Sequence, residues 1–264
     1  MNNSSMLQTL RVLGKGTAIL FVLALYLLVA SLIAAAPLGR RRKRTCAAAN
    51  VSFFCRRFLP VLGVRIGVEG WDRLRDGHAG RLIVANHLSY VDILILASLS
   101  QFVFVTSVEL GNTPVLGLLS RLGGSIFVER RNPASLKEEI ALISRVISEG
   151  FSVVLFPEGT TSNGESVRIF KKSLFDAAIQ AESEVLPVCL RYRKIDGCAI
   201  TNGNRDSLFY YGGVTFFQHA LRLLALRTID VDIVPLDAIP ADPRRSRKEL
   251  AALCHRAIDA AYEG

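Results

Sequence analysis

Residues 82–92 read Leu82-Ile83-Val84-Ala85-Asn86-His87-Leu88-Ser89-Tyr90-Val91-Asp92, and the apolar run that opens them decides the fold. Four apolar residues without polar alternation fit a strand buried on both faces, as in a parallel sheet covered by helices. A helical pattern follows over residues 91–100. Outward from this unit, strand-length apolar runs at 64–68, 102–106, 125–128, 152–156, 185–192 and 229–235 alternate with helical stretches. Those stretches cover 115–122, 134–148, 172–181, 217–226 and 245–262. The alternation predicts an α/β domain, a mostly parallel twisted sheet flanked by helices. Functional groups of such sheets gather at the carboxyl ends of strands. His87, Arg130 and Glu158 each fall just past a predicted strand.

A chain of 264 residues can bury one sizeable core and carry an appendage. The expected division is a membrane-associated segment over 1–62 and the α/β domain over 63–264. Residues 17–36 hold no formal charge and approach the length that crosses a hydrocarbon core of about 30 Å. Arg40-Arg41-Arg42-Lys43-Arg44 follows at once. A cleaved signal peptide would fit Ala34-Ala35-Ala36, but the cations straight after it oppose export. A spanning helix would place the downstream chain in the cytoplasm, at a bacterial inner membrane, because cations are denser after the segment than before it. A helix half-sunk in one leaflet, paired with an amphipathic helix over 45–62, fits equally. Both of the last two readings keep the protein on a membrane.

The formal net charge is +9, and most of that excess lies between Arg40 and Arg75. Anionic headgroups would attract such a segment. No helix-turn-helix, zinc-finger or aromatic-basic pattern accompanies it, so no nucleic-acid partner is expected. Five cysteines without a CxxC spacing argue against a disulfide framework and a zinc site, and no metal is expected. The chain has no G-x-S-x-G elbow, Walker A loop or G-x-G-x-x-G. His78, His219 and His255 read as surface or helix residues without metal-like partners.

His87 and Asp92 could pair as a general base and the carboxylate that orients it, since imidazole titrates near neutrality. Ser89-x-x-Asp92 is also a helix capping box, which would account for Ser89 and Asp92 without chemistry. Arg130, after Gly124-Ser125-Ile126-Phe127-Val128-Glu129, offers a planar fork suited to phosphate, or merely ends a strand in water. Phe156-Pro157-Glu158-Gly159-Thr160-Thr161-Ser162 makes a tight turn whose amides and hydroxyls could hold a phosphate or glycerol oxygen. Lys171 and Lys172 follow within reach of the same face.

In order and spacing these segments resemble the glycerolipid acyltransferase family typified by 1-acylglycerol-3-phosphate O-acyltransferase. Its N-H-x-x-x-x-D, G-x-x-F-x-x-R and F-P-E-G-T motifs and a proline-bearing strand correspond to Asn86-His87…Asp92, Gly124…Phe127…Arg130, Phe156–Thr160 and Val185-Leu186-Pro187-Val188. The resemblance implies a membrane-bound enzyme that moves a fatty acyl group from acyl-CoA or acyl-carrier protein to the hydroxyl of a lyso-lipid. No cofactor beyond that co-substrate is implied. His87 would take the hydroxyl proton and Asp92 would orient His87. Phe127, Arg130, Glu158, Gly159, Thr160 and Lys171 would contact the acceptor, and Pro187 would shape its pocket. The family's phosphatidate-forming members continue E-G-T-R-S, whereas Thr161 stands at the arginine's place here. Lysophosphatidate stays the first expected acceptor on the family's habit, with lyso-ornithine lipid or another lyso-lipid as the alternative. A non-catalytic lipid-binding protein and a basic membrane tether are the alternatives of another class.

Overall fold

Burial on both faces puts β2 (Leu82–Ala85) at the centre of the sheet, with all four residues excluded from solvent. Ile83 and Ala85 face one core, and Leu82 and Val84 the other. The computed structural model describes residues 3–75, 80–129, 134–240, 242 and 244–263. Among these, the chain opens with α1 (Asn3–Ala35) and α2 (Arg40–Leu62), then β1 (Val64–Val68) and α3 (Trp71–Arg75) before β2. Next come α4 (Val91–Leu99), β3 (Val103–Ser107), α5 (Val108–Gly111), α6 (Pro114–Leu122), β4 (Ile126–Val128), α7 (Leu136–Ser148) and β5 (Val153–Leu155). A 3-10 turn at Ser173–Phe175 leads into α8 (Asp176–Gln180). The chain closes with β6 (Glu184–Ile195), β7 (Cys198–Ala199), α9 (Phe216–Ala225), β8 (Ile229–Pro235), β9 (Ile239–Pro240) and α10 (Arg247–Glu263).

The strands form one sheet in the order β1-β8-β6-β2-β5-β3-β4. β2 is parallel to both β5 and β6, and β3 is parallel to β4 and β5. β6 runs antiparallel to β8 and to the short β7 and β9. The expected mostly parallel sheet is thus present, with an antiparallel flank. Helices α2, α4 and α9 cover one face through Leu59, Leu62, Ile95, Leu96 and Leu223. Helices α7, α8 and α10 cover the other through Ile143, Ile147, Ala178, Leu250, Cys254 and Ile258. The five cysteines are all free.

The apolar segment forms a longer helix than residues 17–36 foretold, and it folds back antiparallel on α2. Tyr26 and Ala30 of α1 pack on Phe54 of α2. The Lys15 ammonium donates to the carbonyls of Leu62 and Leu226, at 2.6 and 2.7 Å. Arg11 donates to Ala225 O, Tyr26 to Leu119 O, and Lys43 to Ala34 O. Contact therefore runs from Arg11 to Ala34, about 35 Å of helix at 1.5 Å per residue. Leu10, Leu13, Leu20, Phe21, Leu28 and Leu32 stay exposed on the outer side. The turn out of α2 requires Gly63, at φ 85°, where a Cβ would lie 2.0 Å from Arg227 O.

Candidate active site

At the carboxyl end of β2 the chain leaves the sheet without abandoning its hydrogen bonds. The Asn86 amide donates to Leu190 O at 3.0 Å and accepts from Leu190 N–H at 2.8 Å, so a side chain does the work of one more strand residue. That fixes the direction in which His87 emerges. The His87 ring stacks on Phe156 at 4.1 Å between centroids, and its backbone N–H donates to Glu158 Oε1 at 2.7 Å.

His87 Nδ1 and Asp92 Oδ2 are 2.9 Å apart. A carboxylate only accepts, so this bond assigns the proton to Nδ1 and leaves the Nε2 lone pair free. Asp92 is fully buried, and four donors meet it. Besides His87, Leu88 N–H and Ser89 N–H donate to Oδ2 at 2.7 and 2.9 Å, and the Tyr192 hydroxyl donates to Oδ1 at 2.6 Å. The bond to Ser89 N–H is half of the capping box. The other half is weak, because among the described residues Ser89 Oγ accepts from Val91 N–H alone, at 3.4 Å. One carboxylate thus shapes the entry to α4 and holds the imidazole. Burial and the adjacent Asp92 charge push the Tyr192 hydroxyl well above its ordinary range, so it stays a donor.

Glu158 lies in the turn after β5 and is only 4 % exposed. Its Oε2 accepts from Arg168 N–H at 3.2 Å while Oε1 accepts from His87 N–H. Burial pushes its carboxyl up to about 7, opposed by those two amide bonds and assisted by the charge of Asp92. The side chain turns inward to tie three segments together and does not point at solvent. Gly159 is at φ 75°, and a Cβ there would sit 2.7 Å from Lys171 Nζ. Lys171 N–H donates to Pro157 O at 2.9 Å, so this lysine lies over the turn. Thr160 is exposed beside it. Thr161 donates its hydroxyl to Tyr210 O, Tyr210 N–H donates to Leu88 O, and Ser162 N–H donates to His87 O. The residue at the expected arginine position is therefore committed to internal structure.

The structure does not gather every expected residue at the dyad. Phe127 is on β4, three strands from β2 and so about 14 Å away at ordinary strand spacing. There it packs on Gly111, with the Arg121 guanidinium over its ring. Pro187 is buried within β6 opposite Val84, and its carbonyl accepts from Leu236 N–H. Arg130 lies outside the described residues, as does His78. His219 is a helix residue but not a surface one: it is buried, and its ring bonds Tyr90 Oη at 3.0 Å and Phe209 O at 3.1 Å. Sequence reasoning misses Tyr192 and places Phe156 only in the turn motif, because contacts made across neighbouring strands leave no local signal.

Comparison with known proteins bears on the family and the fold. The family model described as Acyltransferase matches residues 65–191. The chain is 35% identical to a lyso-ornithine lipid O-acyltransferase of Rhizobium meliloti, covering 75% of this chain and 69% of the relative. It is 32% identical to one of Brucella abortus, covering 76% of each. A 1-acyl-sn-glycerol-3-phosphate acyltransferase of Neisseria gonorrhoeae is 30% identical, over 73% of this chain and 74% of its own. Among solved structures, the 1-acyl-sn-glycerophosphate (LPA) acyltransferase PlsC of Thermotoga maritima superposes with a TM-score of 0.67. That match covers 97% and 96% of the two chains at 21% identity, a likeness of fold. With the His87–Asp92 pair seated at the strand ends and relatives matched over most of their length, this chain belongs to the acyltransferase family and is an enzyme of that type.

Proposed function

We propose that the enzyme acylates the free hydroxyl of a membrane lyso-lipid from a thioester donor, with lyso-ornithine lipid as the acceptor. One observation carries the chemistry: His87 Nδ1 is bound to a fully buried Asp92, which leaves Nε2 as the basic nitrogen. Nε2 takes the hydroxyl proton as the oxygen attacks the thioester carbonyl, and Asp92 stabilises the imidazolium. As the tetrahedral intermediate collapses, the C–S bond breaks and the proton passes to the departing thiolate. The products are an ester and a free thiol. Thr160 and Lys171, on the turn beside the dyad, contact the acceptor headgroup. Glu158 holds the His87 and Arg168 backbones in place.

The acceptor reading rests on Thr161 and on the relatives. A threonine bound to Tyr210 O supplies no cation for a bare phosphomonoester, and two relatives named above are lyso-ornithine lipid enzymes. Lysophosphatidate, first by the sequence, becomes the second reading, favoured by the Neisseria relative.

Residues 1–62 serve as the membrane-associated unit, with α1 lying in one leaflet. A helix bonded to its own domain along about 35 Å has no free length with which to cross a bilayer. Its exposed leucines, with Phe53, Leu118 and Phe217 on neighbouring helices, form an apolar surface suited to the acyl region. The domain then sits on the cytoplasmic face of a bacterial inner membrane, where thiols stay reduced.

Purified enzyme tested with each lyso-lipid and a long-chain thioester addresses both levels. Faster turnover of lyso-ornithine lipid is the expected result. Wild-type transfer by His87→Ala would sink the mechanism, and preference for lysophosphatidate would sink the acceptor assignment.

A further inference from the structure

The side of the sheet away from α1 carries a feature that the dyad chemistry leaves unused. Residues 169–173 and the first half of α10 enclose a cleft of about 650 Å³ lined in part by Ile169, Lys171, Lys172, Lys248, His255 and Arg256. Its described lining holds four cations and no carboxylate. None of the four makes an ion pair among the described residues. The nearby Glu249 is engaged with Ser246 at the start of α10. An apolar group stands at the rim: Ile169 is 86 % exposed.

Loose chain does not account for that exposure. Arg168 N–H is held by Glu158 and Lys171 N–H by Pro157 O. Phe170 is buried, edge-on to His255 at 5.0 Å, and His255 Nε2 lies 3.3 Å from Val167 O. Ile169 is thus presented outward on a pinned segment. The bilayer does not cover it, because α10 packs on the sheet face opposite to α2, α4 and α9, on which α1 lies. An apolar anchor ringed by unpaired cations is the pattern of a surface that meets an acidic protein. Lys248 and Arg256 are eight residues apart, about 12 Å along α10, a spread that matches a charged protein face better than one cluster of phosphates.

The geometry points to this cleft as the docking surface for a small, water-soluble acidic protein that carries the acyl group as a thioester. The inference deepens the proposed function and rests on its thioester donor. Lys171 belongs to both places: it lines the cleft, and its ammonium lies over Gly159 in the turn whose Glu158 holds His87. A flexible thioester arm would pass by this lysine from the docked carrier to Nε2. The lyso-lipid arrives from the side where α1 lies, so the two substrates use different entrances and meet at Lys171.

The double variant Lys248→Glu/Arg256→Glu tests the assignment on full-length enzyme in mixed micelles, with palmitoyl-acyl carrier protein and palmitoyl-CoA as alternative donors. We expect KM for the carrier-protein donor to rise about tenfold or more with kcat unchanged. Turnover of the CoA donor should stay within about twofold, which also certifies folding. Raising the salt should raise the wild-type KM for the carrier protein in the same direction. Ile169→Asp should raise that KM as well. An equal KM increase for both donors would overturn the proposal in favour of a nucleotide-phosphate site, and an unchanged carrier-protein KM would overturn it outright, as would a wild-type enzyme that turns over the CoA donor alone. Failure of the dyad reading is a separate result: His87→Ala would keep activity with both donors while the KM effect of the charge reversal persisted.

Discussion

The two ends of the sheet differ in kind. At the amino end, where β2, β3 and β5 begin, a cleft of about 860 Å³ is lined by Arg41, Arg42, Arg56, Trp71 and Arg81. Charge there is either paired off or left in water. Arg81 is buried against Glu184 and the carbonyls of Arg73 and Leu74, Arg44 holds Glu149, and Arg41 and Arg42 are exposed. At the carboxyl end a buried carboxylate is met by two backbone amides, a tyrosine and an imidazole. Cavity size alone does not mark a candidate site. Convergence does, because the loops that leave parallel strands at their carboxyl ends bring amides and side chains from distant segments to one point.

The sharpest way to break this contrast is to remove the base. His87→Ala should lower kcat by about 10²–10⁴-fold, the range of general-base catalysis, with the melting temperature little changed. An equal loss from Arg41→Ala/Arg42→Ala would show that the wrong end had been assigned.

Glu158 gives the next largest effect, read in stability. The unfolded chain releases this proton near 4.5, whereas the folded protein holds it until about 7. Between those values the folded state carries the extra proton, so stability is greatest at the acid side and falls as pH rises, on the order of 3 kcal/mol in all. Glu158→Gln should flatten the melting temperature between pH 4.5 and 7; a wild-type melting temperature that rises through this window would contradict the burial.

Tyr192→Phe should lower kcat about tenfold and leave KM alone. It should also destabilise the fold by about 1–3 kcal/mol, the cost of a buried acceptor that loses its donor. Thermal denaturation and steady-state kinetics check the two halves. The smallest effect belongs to the amino end: Arg41→Ala/Arg42→Ala should leave kcat within about twofold and weaken binding to anionic vesicles by about 1 kcal/mol per cation. Flotation with anionic and neutral vesicles reads the difference.

Much of this architecture was legible in the sequence. The runs 64–68, 82–85 and 229–235 are strands with those bounds, since burial on both faces leaves the uninterrupted apolar stretch of 82–85 and burial mainly on one face leaves the alternation of 64–68 and 229–235. The His87–Asp92 pairing was legible because both residues lie in one local turn. Helices α3 and α5, of five and four residues, are too short to show a period, and residues 172–181 begin as a 3-10 turn rather than as α-helix. The inward turn of Glu158, the distance of Phe127 from His87 and the bond from Tyr192 were not legible. Each depends on which strands are neighbours, and sheet order is set by pairings between segments far apart in the chain.

Asn86 imposes a schedule on folding. Its amide meets Leu190 across 104 residues of sequence, and Asp92 meets Tyr192 across 100. Closing loops of that length is entropically slow, and no local segment can anticipate it. A nascent chain released only as far as β5 would already hold His87 beside Asp92, yet lack the strand that orients the first and the hydroxyl that steadies the second. Activity should therefore appear as a late event in biosynthesis, after β6 has slotted in beside β2, and the emerging enzyme is spared from working on the membrane before its domain is whole.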